Sequence, residues 1–215
     1  MTIPLATHFV PLQFALALYA LSDLGAALRV GFENPKVAMK AEWMRLVPMI
    51  LLGTVLGVTL LVNLPRAAGM LALGLFVFGY ALYILLRHES KKVIAAGWAW
   101  IAGLAGGITS TLFGAGGPPY AIYLSQRGLT KEQFRATMGF ATLTSISLRV
   151  VAFLLTGLLL DAKVWLVAVA VVPAAQLGIY VAQRMYLKIS REQLLRAVAV
   201  VLLATGGSLV LRALG

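Results

Sequence analysis

The sequence predicts an all-α polytopic membrane protein made of two inverted-topology repeats, each a re-entrant hairpin plus three transmembrane helices, with the first hairpin missing or truncated. Three observations predict it: an apolar composition, an internal recurrence of short motifs, and a reversal of loop charge between the recurring halves. Hydrophobic residues make up 61% of the 215 and charged residues 12%, with a mean hydropathy of +0.93. Such values belong to an integral membrane protein, whose solvent is the bilayer.

Stretches approaching the about 20 residues that a spanning helix needs run Phe9 to Gly31, Leu46 to Asn63, Ala67 to Leu86, Val93 to Phe113, Phe134 to Leu159, Val164 to Gln183 and Leu194 to Ala213. A further piece, Tyr120 to Gln126, is too short to cross. The connections, among them Asn63-Leu64-Pro65-Arg66 and Arg87-His88-Glu89-Ser90-Lys91-Lys92, leave no room for a soluble domain. Phe113-Gly114-Ala115-Gly116-Gly117-Pro118-Pro119 interrupts this apolar series with helix breakers, and unwound backbone at membrane depth is tolerated only in protein or beside a polar cavity.

Gln13-Phe14 recurs as Gln133-Phe134, and Leu28-Arg29-Val30 as Leu148-Arg149-Val150, both 120 residues apart. Val47-Pro48, Gly53 and Arg66 recur as Val172-Pro173, Gly178 and Arg191 at a spacing of 125. Shared order and spacing point to duplication, which marks many transporters. The expected division is a first membrane repeat over 1–90 and a second over 91–215.

Loop charge orients the halves. Lys36, Lys40 and Arg45 follow the first segment, whereas the counterpart loop has only Lys163 beside Asp161. Arg66 stands alone where Arg184, Lys188 and Arg191 stand in the second half, and residues 1–12 lack Lys and Arg where Arg127, Lys131 and Arg135 precede the fifth segment. Equivalent loops then lie on opposite sides under the positive-inside rule. Because Arg87 to Lys92 and Arg127 to Arg135 are both basic, residues 93–126 are expected to enter and leave from the cytoplasm as a re-entrant hairpin with the Gly-Gly-Pro-Pro run at its turn. The carboxyl terminus is expected to face the periplasm or exterior.

Absences narrow the chemistry. There is no cysteine, which excludes disulfides and thiolate chemistry, and the histidines are His8 and His88. The net charge of +11 comes in short clusters between apolar segments, a distribution that argues against nucleic acid. No paired carboxylates, metal-ligand cluster or nucleophile with its base is legible, so neither an enzyme, a metal nor a cofactor is expected. The N-terminus lacks a basic flank before its apolar run, so no cleavable signal peptide is expected. The expected partners are a small inorganic or organic anion and the lipid bilayer, and a homo-oligomer is compatible with the pattern.

The break suggests how an anion is held. Consecutive glycines present N–H groups into a concavity, and a half-helix starting near Pro119 adds the positive end of its dipole. Pro118 and Pro119 lack an N–H, so the donors would be Gly114, Ala115, Gly116 and Gly117. The same run also reads as a tight loop allowing close helix packing. Arg149 is the charge most clearly embedded in an apolar helix, suited to bidentate contact with an oxyanion or to a structural ion pair. Asp23, the one carboxylate inside an expected span, is its natural partner, or else a carrier of a coupling proton. Thr111 and Ser145 are chosen as lining hydroxyls from the Ser and Thr residues around the break and Arg149. Arg29 is expected to snorkel, Trp43, Trp98, Trp100 and Trp165 to anchor at the interface, and Gly53-x-x-x-Gly57 to pack.

Gly103-Leu104-Ala105-Gly106-Gly107, Phe113 to Pro119, and Arg127-Gly128-Leu129-Thr130-Lys131-Glu132-Gln133-Phe134-Arg135-Ala136-Thr137 resemble the second half of the sulfite exporter TauE/SafE family of permeases. Pro11-Leu12-Gln13-Phe14-Ala15, Ser22-Asp23-Leu24 and Arg45-Leu46-Val47-Pro48-Met49 are similar to its first half. The resemblance implies movement of sulfite, sulfonates or related organosulfur anions across a bacterial inner membrane. It also implies a second glycine-rich motif, whose place at a spacing of 120 falls before Met1. Thr2-Ile3-Pro4-Leu5 reads like the tail of that motif, so the expectation is a start codon assigned too late, the other reading being a truncated variant. A non-transporting membrane subunit of a larger complex is the alternative function.

Overall fold

A computed structural model describes residues 10–32, 34–86 and 93–186. The expected last span, Leu194 to Ala213, the loop at 87–92 and residues 1–9 lie outside them. Among the described residues the structure is helical, without strands: α1 (Leu12–Gly31), a 3-10 turn (Pro35–Val37), α2 (Lys40–Asn63), α3 (Arg66–Leu86), α4 (Trp98–Phe113), α5 (Gly117–Ser125), α6 (Lys131–Leu155) and α7 (Ala162–Tyr186). By length and composition α1, α2 and α6 can cross a membrane.

Local chemistry explains several boundaries. Thr130 accepts from the Gln133 backbone N–H at 3.2 Å while the Gln133 side chain accepts from the Thr130 N–H at 3.1 Å, a reciprocal cap that starts α6 at Lys131. Pro65 stands just before α3, where a missing N–H is harmless. Gly114 closes α4 at φ 65°, a left-handed conformation that favours glycine. Helix α2 begins at Lys40, six residues before the apolar run expected from Leu46, so Glu42 is helical and buried.

The most extensive helix contact is between α2 and α4. A Cβ on Gly107 would stand 2.5 Å from the Ile50 carbonyl oxygen, and one on Gly53 would meet the carbonyl of Leu104. Backbone therefore touches backbone, the route by which helices associate where lipid is as apolar as the side chains. Gly57 faces α4 as well, against Ile108 and Thr111, so the Gly53-x-x-x-Gly57 face does pack. On the other side of α2, Leu51, Leu52, Val55, Leu56, Leu60 and Val62 are exposed, as a lipid-facing stripe would be.

Helices α4 and α5 fold back on each other. With 16 residues α4 is about 24 Å long and with 9 residues α5 is about 14 Å, both short of the about 30 Å hydrocarbon core. The Ile94 N–H donates to the Gln126 carbonyl at 3.0 Å, so the segment leaves and returns at one place. The Tyr120 ring lies against Gly106, where any Cβ would overlap it. The break falls between two apolar clusters, one containing Phe113 with Leu16, Phe153 and Val164, the other Tyr120 and Tyr123 with Leu46 and Ile50.

Candidate functional site

The hairpin carries a buried arginine-carboxylate centre at each end. At the base, Glu42 is enclosed by α2, α5 and the segments beside them. Its Oε1 accepts from Arg45 Nη1 at 2.8 Å and from Arg127 Nη2 and Nε at 2.9 and 3.2 Å, and its Oε2 accepts from the Tyr123 hydroxyl. Arg127 also donates to the Ile94 carbonyl and lies 5.9 Å from the Tyr123 ring centroid, within cation-π range. The hydrogen bonds to Glu42 push the Arg127 guanidinium above its usual range against the opposing effect of desolvation. Both carboxylate oxygens are therefore engaged.

At the break the balance is different. Arg149, with a side chain 1% exposed, donates from Nη2 to Asp23 Oδ2 at 2.7 Å and from Nη1 to the Ser110 carbonyl at 2.8 Å. Its Nε is buried and, among the described residues, without a partner. The Asp23 side chain is 37% exposed. Ser110 lies in the last turn of α4, where carbonyls carry the negative end of the helix dipole and favour a cation. Sequence elements far apart thus meet here: α1, the end of α4 and the middle of α6.

The other expected site residues divide. The Gly114 and Ala115 N–H groups turn back to the Ser110 and Thr109 carbonyls at 2.9 and 3.2 Å. They close the helix, which narrows the expected cradle to Gly116 and Gly117 at the uncapped start of α5. Gly116 remains close to the centre, since a Cβ there would meet Ser110 Cβ at 2.8 Å. Ser145, one turn before Arg149, accepts from the Tyr120 hydroxyl at 3.1 Å and joins α5 to α6. Thr111 is buried, bonds to the Gly107 carbonyl and packs on Gly57, so it faces α2 and not the Arg149 side chain.

Trp98, Trp100 and Trp165 are exposed near helix starts, whereas Trp43 donates to Thr144 at 3.0 Å and ties α2 to α6. Arg29 is exposed near the end of α1. A cavity of about 130 Å³ lies beside Phe113 at the end of α4, lined by Leu12, Leu61, Leu64, Leu112 and Gln13, whose amide donates to the Leu61 carbonyl at 3.0 Å. Sequence reasoning passed over Glu42, Tyr123 and Arg127; the available signal was Glu42 placed three residues before Arg45 at the edge of an apolar run. Among the described residues no group of His, Cys, Asp or Glu is placed to hold a metal ion.

A family model described as sulfite exporter TauE/SafE matches residues 1–209. Neither a curated protein nor a solved structure matches the chain. The chain belongs to the sulfite exporter TauE/SafE family, and is thereby a multi-pass membrane protein of a transporter family.

Proposed function

We propose that this chain is a permease for small oxyanions, sulfite or organic sulfonates, and that the anion passes the α4-α5 break in contact with Arg149. The observation that carries the reading is the unpartnered Nε of an arginine 1% exposed, set beside the start of a half-helix. A planar guanidinium binds oxyanions through paired N–H groups, and burial strengthens the attraction. Gly116 and Gly117 add N–H groups at the positive end of α5, while Gly114 and Ala115 shape the turn. Ser145 and Thr111 hold α6 and α2 against the hairpin from opposite sides.

The wider architecture follows the same reading. The meeting of residues 94 and 126 supports a re-entrant hairpin, and Pro48 and Pro173 inside α2 and α7 support two inverted repeats, 1–90 and 91–215. With basic loops cytoplasmic in a bacterial inner membrane, the hairpin enters from that side and the carboxyl terminus is periplasmic.

Proteoliposome flux tests the proposal. Sulfite and methanesulfonate should both be taken up by vesicles holding the full chain, and Arg149→Gln should reduce uptake to that of empty vesicles. Undiminished uptake by Arg149→Gln, or none by the unaltered protein under any gradient, would overturn it. The second outcome is what a non-transporting subunit would give.

A further inference from the structure

Arg149 and Asp23 balance each other one to one. Helix α1 packs against α3, α4, α6 and α7, and it touches α2 where Gln13 bonds Leu61, at the opposite end of α2 from that helix's charges Lys40, Glu42 and Arg45. Of these, α4 has no charged residue, α3 has only Arg66 at its first position, and α7 has Lys163 and Arg184 near its ends. Helix α6 adds Lys131, Glu132 and Arg135 in its first turns, and α1 itself adds Arg29 near its last. Among the described residues, a single positive charge therefore faces a single negative one at the break.

We infer that the transported anion and the Asp23 carboxylate are alternative partners of Arg149, and that Asp23 takes up a proton when the anion displaces it. One proton then crosses with each monovalent anion, in the same direction. The inference rests on the transport reading above.

Two features of the geometry carry it. Nε and Nη2 lie on one edge of the guanidinium plane, and Asp23 uses only Nη2 while Nε stands vacant. An oxyanion offering two oxygens to that edge forms two hydrogen bonds where Asp23 forms one. Nη1 is held separately by the Ser110 carbonyl, so Arg149 keeps its place when Asp23 leaves.

Charge then dictates the proton. An anion and an ionised Asp23 together against one guanidinium would leave a net negative charge at membrane depth, which is costly. Protonation of the departing carboxylate at an oxygen, with the proton drawn from the solution the anion came from, restores neutrality. The proton leaves to water when the anion departs and Asp23 returns to Nη2. Empty and loaded sites are both neutral, so both can change sides.

Methanesulfonate, which stays ionised throughout the neutral range, separates its own charge from the protein's. Vesicles containing the full chain and a luminal pH dye, with the potential clamped by potassium and valinomycin, should acidify by about one proton per anion taken up, at a rate independent of the clamp. Asp23→Asn, which leaves Arg149 without a counter-charge when empty, should lose net uptake about ten-fold or more and carry no proton with the anion that still enters. Anion uptake without acidification, or driven by the clamped potential, would overturn the inference and leave the transport reading standing. No anion movement by the unaltered protein would overturn both. The proton count on the unaltered protein decides the matter even if Asp23→Asn does not fold.

Discussion

The two ends of the α4-α5 hairpin use the same chemistry for opposite purposes. At the base, Glu42 is the buried partner and is saturated: two arginines and a tyrosine engage its two oxygens, and one of those arginines also binds the Ile94 carbonyl. At the break, Arg149 is the buried partner and is unsaturated, with one vacant Nε and a carboxylate more than a third exposed. A centre whose buried carboxylate is engaged at both oxygens holds helices together. A buried guanidinium with a vacant N–H is where the proposed oxyanion would bind, with Asp23 as the partner that would step aside. Burial of charge is common to both ends, so completeness of hydrogen bonding is the better discriminator of role.

The largest expected effect is at the base. Glu42→Ala leaves Arg45 and Arg127 without their counter-charge and should lower stability by about 3–5 kcal/mol, read by thermal unfolding in detergent. An unchanged melting temperature would mean that the base does not anchor the hairpin. Gly107→Ala should come next, at about 1–3 kcal/mol, because its Cβ would stand 2.5 Å from the Ile50 carbonyl and force α4 away from α2. That change carries Ser110 with it and should weaken transport as well as stability. Tyr120→Phe should be the smallest, about 1 kcal/mol, since it removes the single hydrogen bond to Ser145 and leaves the ring on Gly106. A larger loss would place more of the hairpin's stability in its contact with α6 than the base centre allows.

Which of these features the sequence revealed follows from physics. The Asp23-Arg149 pair was legible because charges are rare in apolar runs, so each expected span offered few candidates. The break was legible because glycine and proline interrupt a helix wherever they cluster. Glu42 was hidden because a span read by hydropathy ends at its last apolar residue, while a helix continues through Lys40 to Arg45 when its polar side chains find partners. Trp43 looked interfacial by position, yet its indole N–H turns inward to Thr144. Nor could the sequence show that Gly114 and Ala115 direct their N–H groups to α4, since capping depends on the conformation that glycine adopts. Spacing found the participants, and the three-dimensional contacts showed which valences are already taken.

Thermal unfolding against methanesulfonate concentration shows whether the vacant edge of Arg149 holds an oxyanion. A ligand that binds only the folded state stabilises it by about 2.7 kcal/mol at one hundred times its dissociation constant. A saturable rise in melting temperature is expected for the unaltered protein, a larger rise for Asp23→Asn, where the competing carboxylate is gone, and none for Arg149→Gln. An equal rise in all three proteins would contradict it.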